Sequence, residues 1–296
     1  MIQNTQQFKN YINYLRHCRP PHTFWGETDP PNNLFFLEEG PGFDPKPRAR
    51  TKKDFNMNEV IYNFSIPRSG STLIRQIMSE IFDYEKIIYF YKIPRFKNFN
   101  DDNVRNPIVM TCRDFRDVIL STRRMRLSMH GVSAEESFAI PPTEEELQLL
   151  ATREVIPQIN GLNYIFERYQ DDILLLKYED FKSDFDYIFE KFEEFFNRVE
   201  YAEIIKSHGY DGSFRIDDEK RSYIKQEYCF DNNYKKAQGT TFFSSWDKSN
   251  LSGLALHGDH MSFGNLQEWK FLNYKASQCI TDVLGAHLGK WGYEEK

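Results

Sequence analysis

The chain has 296 residues, 40% of them apolar and 16% aromatic, which is enough for one large α/β domain or two smaller ones. Its formal net charge of −6 argues against a general nucleic-acid-binding protein. No apolar run approaches the ~20 residues of a membrane-spanning helix, and the chain starts with no apolar signal segment. Four cysteines without paired or metal-binding spacing favour a reduced, cytoplasmic setting. We therefore expect neither nucleic acid nor a membrane among the partners.

The first part of the chain predicts an arm that precedes the main domain. Apolar positions between Phe8 and Leu15 have helical spacing. Prolines and glycines in residues 26–53 exclude regular structure, so this stretch is either a disordered arm or a lid packed over a site. We assign residues 1–58 to the N-terminal arm and possible lid loop, and residues 59–296 to the α/β domain.

A strand, a tight loop and a helix start then follow in direct succession. Residues 59–66 predict the strand, and the loop Pro67-Arg68-Ser69-Gly70-Ser71-Thr72 opens into a helical pattern. This arrangement directs backbone N–H groups and the positive end of a helix dipole at one point, which suits a phosphate or a similar anion. Arg68 and the three loop hydroxyls add to that preference. The Walker A pattern is absent, so we expect the anion to be held differently than in an ATPase.

A second segment repeats this order of elements. Residues 87–92 predict the second strand, and residues 107–112 predict the third, with Arg113 at its C-terminal end. Asp114 is placed to cap the helix that follows. Because ligands of parallel sheets lie outside the carboxyl ends of the strands, Arg113 and Ser121 are expected to converge on a second anion beside the first loop.

Strands and helices continue to alternate in the rest of the chain. The predicted elements are a helix capped by Thr143, a helix over 158–170, a strand over 172–178, one or two Phe-rich core helices within 182–206, loops and short helices over 207–268, and a last helix over 269–288. This alternation predicts an α/β fold, a single domain with a central parallel sheet flanked by helices.

Arginines cluster at and after the third strand. An acidic protein with a basic pocket suits a small anionic cofactor. We assign Arg113 to that pocket, and we expect most of the three arginines Arg123, Arg124 and Arg126 to lie on a solvated helix face.

Together, the motifs resemble the sulfotransferase family that uses 3′-phosphoadenosine 5′-phosphosulfate (PAPS). In that family a P-[KR]-[ST]-G-[ST]-T loop holds the 5′-phosphosulfate, and an Arg with a Ser eight residues later holds the 3′-phosphate, as Arg113 and Ser121 are spaced here. Tyr178-Glu179-Asp180 resembles the strand end whose Tyr contacts the adenine. His260-Met261-Ser262-Phe263-Gly264 resembles the C-terminal loop that closes over the 3′-phosphate. The four matches follow the family order and span nearly the whole chain, from residue 60 to 270.

The resemblance implies a P-loop-like sulfotransferase fold and a metal-free reaction. The sulfuryl group of PAPS would pass to a hydroxyl or amine of a small-molecule acceptor, with Arg68 stabilising the leaving phosphate. The implied cofactor-binding residues are Arg68, Ser69, Gly70, Ser71, Thr72, Arg113, Ser121, Tyr178, Ser262 and Gly264.

The general base departs from the family pattern. Cytosolic members usually carry a His in a Lys-Thr-His segment, where this chain has Tyr91-Lys92-Ile93-Pro94-Arg95. Lys92 matches either the family's Lys or, shifted by two residues, its His, and it acts either as a base with a depressed pKa or as a charge stabiliser. His260 is a second catalytic candidate. The other candidates are Glu80, Asp101, Asp102, His130 and His257.

Two further positions differ from the family. Leu73 replaces a Trp that often stacks on the adenine, and Ser262-Phe263-Gly264 replaces an Arg-Lys-Gly segment. The 3′-phosphate site therefore lacks one cation, for which Ser262 or loop amides must compensate. This form looks more like bacterial small-molecule or carbohydrate sulfotransferases than animal ones.

The acceptor and the reaction class leave alternatives open. Acidic residues would favour a cationic acceptor such as a saxitoxin-type alkaloid, as in the tailoring of natural products. These residues are Asp101, Asp102, Glu135 and Glu136. An ATP-using P-loop-like kinase is one alternative, although the Walker lysine is missing. A catalytically inactive nucleotide-binding protein is the other, because the expected His is absent.

Overall fold

The computed structural model describes residues 6–17, 59–83, 86–90, 106–182, 184–237 and 266–294. Its strands are β1 (Ile61–Ser65), β2 (Ile87–Phe90), β3 (Ile108–Cys112) and β4 (Ile173–Lys177). They form one parallel sheet in the order β2-β1-β3-β4. The predicted α/β class, with a central parallel sheet flanked by helices, is confirmed.

The two central strands end level with each other. β1 and β3 are apolar runs that are buried at every position, as expected for a parallel sheet covered on both faces. Ser65 at the end of β1 pairs in register with Thr111 of β3. The chain leaves β1 towards β2 on one side, whereas β3 lies on the other side, so the strand order reverses between β1 and β3. A crevice at such a point is where open α/β sheets bind ligands.

Helices cover both faces of the sheet. They are α1 (Gln6–His17), α2 (Ser71–Ile81), α3 (Phe115–Met129), α4 (Ala134–Ala139), α5 (Glu144–Leu150), α6 (Ile156–Tyr169), α7 (Tyr178–Phe181), α8 (Phe185–Phe196), α9 (Ala202–Ser207), α10 (Asp218–Tyr228), α11 (Phe230–Ala237), α12 (Tyr274–Leu284) and α13 (Ala286–Lys290). One core cluster joins α1, α3, α5, α6 and α12, and the other joins α2, α8, α9 and α10. Among the helices in the described ranges, none has both the length and the apolarity to cross a membrane.

The N-terminal helix belongs to the first of these cores. Phe8, Tyr11 and Leu15 are buried among residues of α3 and α5, in agreement with the helical spacing. Residues 18–58, including the possible lid, lie outside the described residues, and the domain boundary stays a prediction. The predicted Phe-rich core helix is confirmed in α8, where Phe189, Phe192 and Phe196 are buried.

Capping side chains set several helix starts. Asp114 accepts the N–H of Arg116 and begins α3, as predicted. Thr143 and Glu146 form a capping box at the start of α5, also as predicted. The helix expected from residue 158 begins earlier, through a π-helical turn at Ala151–Val155.

The prediction of one helix over 269–288 is wrong. A 3₁₀ turn, Glu268–Phe271, comes first. Asn273 then begins α12, because its side chain accepts the N–H of Ala276. Gly285, with φ 33°, ends that helix before α13. The apolar period continues across these breaks, so periodicity alone could not show them.

The expectation of a solvated face for Arg123, Arg124 and Arg126 is also wrong. Arg123 is only 4% exposed and Nε lies 2.7 Å from Glu146 Oε1. Arg126 Nη2 lies 2.7 Å from Glu154 Oε2. Carboxylates distant in sequence neutralise these arginines, which lets them pack inside the protein.

Candidate functional site

The loop after β1 has a strained backbone that side-chain bonds hold in place. Arg68 has φ 75°, a conformation that is uncommon for a residue with a side chain and costs roughly 1–3 kcal/mol. The neighbouring Ser69 is fully buried, and its hydroxyl donates to the carbonyl of Ile66 at 2.8 Å. It also lies 2.7 Å from the hydroxyl of Thr111 on β3. The Ser69 hydroxyl is therefore committed to the loop's own fold, and we assign it a positioning role.

Gly70 leaves no room for a side chain. It has φ 82°, and a Cβ at this position would lie 2.6 Å from Phe181 and 2.7 Å from Tyr178. As the N-cap of α2, Gly70 provides no side-chain cap. Ser71, which is buried, and Thr72, which is half-buried, occupy the first turn of α2. Uncapped first-turn N–H groups at a helix start are suited to an anion.

The two segments predicted to bind anions meet at this loop. Arg68 Nε donates to Ser121 Oγ at 2.9 Å. Arg113 Nη1 donates to the carbonyl of Arg68 at 3.4 Å. The structure thus brings together the loop after β1, the end of β3 and the second turn of α3, as the parallel-sheet argument predicts.

Arg113 is enclosed by protein on several sides. It is 2% exposed, and Nη2 lies 3.5 Å from Asp117 Oδ2. Its guanidinium lies 4.7 Å from the ring centroid of Tyr178, which directly follows β4. Burial raises the pKa of the Tyr178 phenol, so the ring stays neutral at physiological pH. The predicted adenine contact, the predicted 3′-phosphate contact and Gly70 are therefore close neighbours.

Two aspartates at the start of α3 hold the C-terminal segment against it. Asp117 Oδ2 accepts the backbone N–H of Gln267 at 2.8 Å, and its Oδ1 accepts that of Trp269 at 3.4 Å. Asp114 accepts from the indole N–H of Trp269 at 3.1 Å and from Arg116 Nη2 at 2.7 Å. Burial raises the pKa of Asp117, while the charge of Arg113 opposes that rise.

A further network joins β4 to the end of the chain. Glu179 accepts the backbone N–H of Asp114 at 2.9 Å and the hydroxyl hydrogen of Tyr293 at 3.0 Å. Arg116 lies 3.5 Å from the ring centroid of Trp269 and donates to the carbonyl of Tyr293. Our sequence analysis missed these partners. These partners are 65 to 177 residues apart in the sequence, so no local spacing indicates them.

Several predicted site residues lie outside the described residues. They are Lys92, His260, Ser262 and Gly264. Two of the other candidates for the general base, His130 and Glu80, contact residues outside the loop after β1. The ring of His130 packs 5.3 Å from that of Tyr14, and Glu80 accepts from the hydroxyl of Tyr228 at 2.5 Å.

No protein-family model matches the chain, and no curated protein matches it. Among solved structures, the crystal structure of the mouse sulfotransferase SULT7A1 complexed with PAP is similar to the structure of this chain. The sequence identity is 14%, the match covers 79% of this chain and 86% of the mouse chain, and the TM-score is 0.48.

Proposed function

We propose that this protein is a sulfotransferase that uses PAPS as the sulfuryl donor. The observation that carries the proposal is the meeting of two anion-binding segments, in which Arg68 Nε contacts Ser121 Oγ and Arg113 Nη1 contacts the Arg68 carbonyl. A ligand with a phosphosulfate on one side of a ribose and a phosphate on the other would suit both segments at once. A nucleotide with a single phosphate chain would occupy only one of them.

The proposed reaction is an in-line displacement at sulfur. A bond forms between the acceptor's oxygen or nitrogen and the sulfur, while the bond from sulfur to the 5′-phosphate oxygen breaks. The leaving group is 3′,5′-adenosine bisphosphate (PAP), which carries away the electron pair, and the acceptor's proton passes to a base. We assign to Arg68 and the backbone N–H groups from Ser69 to Thr72 the stabilisation of the negative charge that develops on the leaving phosphate.

The other site residues are assigned to binding rather than to chemistry. Arg113 and Ser121 hold the 3′-phosphate, which is remote from the sulfur. Tyr178 lies against the adenine. This arrangement uses the binding energy of a distant group to position the reacting one.

Lys92 is proposed as a participant at the sulfuryl group, either as the base or as a cation. His260 is the second candidate for the base. The sequence supports both assignments, through the position of Lys92 after the second strand and that of His260 in the closing loop.

The acceptor is proposed to be a small molecule with a hydroxyl or an amine. A cationic acceptor of the saxitoxin type remains one arm of an acceptor screen, although Glu136 does not support it, since its carboxylate accepts the N–H of Ser133 in a capping box. We propose a cytoplasmic setting, which is supported by the free thiols of Cys112, Cys229 and Cys279.

The test is a calorimetric titration of the whole chain with PAP, with ATP as the control. We expect tight binding of PAP and weak or no binding of ATP. A preference for ATP would favour a kinase, and no binding of either would remove the proposal. An assay with PAPS and an acceptor panel then separates an active enzyme from an inactive nucleotide-binding protein.

A further inference from the structure

Arg124 is a buried arginine whose hydrogen-bonding capacity is largely unused within the described ranges. Its side chain is 11% exposed, and Nη1 lies 2.5 Å from Glu268 Oε2. Nε and Nη2 of Arg124, and Oε1 of Glu268, have no hydrogen-bond partner among the residues that the structure describes. Leaving charged groups buried in this way is expensive, so such atoms call for an explanation.

The position of Arg124 on α3 provides an explanation for these unpartnered atoms. Arg124 lies two turns after Asp117 and one turn after Ser121, so the three residues share one side of the helix. The C-terminal segment runs along the same side, because Gln267 N–H reaches Asp117 while Glu268 reaches Arg124. Ser121 is the residue that Arg68 contacts. The guanidinium of Arg124 therefore belongs to the neighbourhood assigned to the 3′-phosphate.

Positive charges outnumber negative ones in this neighbourhood. Burial first, and then the charge of Arg113, lowers the pKa of both Arg124 and Lys182, which places these cations near one another. With Arg113 they are three cations, and Arg124 and Lys182 both interact with the carboxylates of Asp117 and Glu268. The formal charge of these five residues is thus three minus two, or +1, which favours an anion such as a phosphate monoester.

We propose that Arg124 binds the 3′-phosphate of the cofactor, and that Glu268 positions its guanidinium for that contact. The inference rests on the proposed function. It explains how the site tolerates Ser262-Phe263-Gly264 in place of the family's Arg-Lys-Gly segment, since Arg124 returns the missing cation from a different element. The planar fork of a guanidinium can donate two parallel hydrogen bonds to phosphate oxygens, which an ammonium cannot.

The experiment compares two nucleotides that differ only in the 3′-phosphate. Calorimetry on the full chain measures the Kd of PAP and of 5′-AMP. The variant is Arg124→Gln with Glu268→Gln, which removes both charges together and leaves neither buried alone. The matched control is Arg126→Gln with Glu154→Gln, which removes an ion pair of the same kind from the same helix.

We expect the Arg124/Glu268 variant to lose about 10- to 100-fold in PAP affinity and to bind 5′-AMP as before. The control should keep both affinities. A variant that keeps the wild-type ratio of the two Kd values would overturn the assignment of Arg124 while leaving the proposed function intact. A wild-type protein that does not prefer PAP over 5′-AMP would overturn both.

Folding is checked for each variant by circular dichroism and thermal melting. If the double variant does not fold, Arg124→Lys carries the test, because it keeps the charge and the pair with Glu268. Lysine lacks the planar guanidinium that can donate two parallel hydrogen bonds. We therefore expect a several-fold weaker affinity for PAP and an unchanged affinity for 5′-AMP. An unchanged ratio in Arg124→Lys would count against the proposal in the same way.

Discussion

Arginines just before α3 and within it are buried in different ways. In the distal half, Arg123 pairs with Glu146 and Arg126 with Glu154, one guanidinium to one carboxylate, each at 2.7 Å. At the proximal end, Arg113 approaches Asp117 only to 3.5 Å, beside further cations. Burial of an arginine is thus not by itself a sign of a binding site. A local excess of cations over carboxylates is the more informative feature.

The largest effect is expected at a distal pair. Glu146→Gln keeps the capping box with Thr143, since Gln can serve there, and removes only the charge. Arg123 would then be buried without its counter-ion, and we expect a loss of about 3–5 kcal/mol in the free energy of unfolding. Urea denaturation measures this loss.

The affinity for PAP should stay unchanged in Glu146→Gln, because the distal pair is assigned to the fold alone. The double variant Arg123→Met with Glu146→Leu should recover much of the lost stability, since apolar side chains often replace a buried pair without loss. A fall in PAP affinity with intact folding would show that the Arg123–Glu146 pair also contributes to the binding site.

The second effect concerns Arg68 and Arg113, the two cations assigned to the two phosphates of the cofactor. Arg68→Ala should lower kcat by about 10²–10³-fold, or about 3–4 kcal/mol, because Arg68 is assigned to charge that develops only in the transition state. The KM for PAPS should change by much less. Arg113→Ala should do the reverse, raising KM with a small change in kcat. Steady-state kinetics with PAPS measures both, and equal losses of kcat and affinity in the two variants would contradict the division of roles.

The third effect tests the backbone at the proximal end. Gly70→Ala adds a methyl group 2.6 Å from Phe181 at φ 82°, and we expect a loss of about 3 kcal/mol together with loss of PAP binding. Gly209→Ala is the matched control. It has φ 93° with no atom within 4 Å of the added Cβ, so only backbone strain of about 1 kcal/mol applies. Similar losses of unfolding free energy in the two variants would show that the contact with Phe181 and Tyr178 has little effect.

The smallest expected effect is on the pH dependence of the unfolding free energy, and it comes from a buried histidine that is neutral in the folded protein. His208 Nδ1 accepts the N–H of Asp83 at 3.0 Å, Nε2 lies 3.0 Å from the Glu59 carbonyl, and burial lowers the pKa of His208 to about 4. In the unfolded chain its pKa is about 6.5, so that state binds the extra proton between pH 6.5 and 4. The free energy of unfolding should therefore fall as the pH falls through this window, by about 2 kcal/mol from pH 7 to pH 5 from this residue.

Urea unfolding of the wild type and of His208→Gln across this pH range measures that contribution. Gln stays neutral in both states, so the variant should show a flatter pH profile, even though it is less stable at pH 7. Parallel profiles for the two proteins would mean that His208 is not the group that titrates.

Short-range patterns were sufficient for the framework of the site. The apolar runs predicted β1 and β3, Asp114 and Thr143 predicted helix starts, and the rule for parallel strands predicted that Arg68, Arg113 and Ser121 would meet. The strands and helix starts depend on side chains within about a dozen residues, and the meeting of Arg68, Arg113 and Ser121 follows from the general rule that parallel strands bring their carboxyl ends to one edge. Both kinds of inference need only local patterns in the sequence and a general rule of α/β folds.

Only the tertiary structure decided which charges are neutralised. The partner of Arg123 is 23 residues away and that of Arg124 is 144 residues away. Helical period alone cannot tell a solvated arginine face from one covered by carboxylates of other helices. The same holds for the Ser69 hydroxyl, which bonds to Thr111 on β3. The sequence by itself predicted where an anion could bind. The packing of distant segments decided which buried cations are neutralised by carboxylates and which are not. The reason is that the free energy of a buried charge depends on every group packed against it.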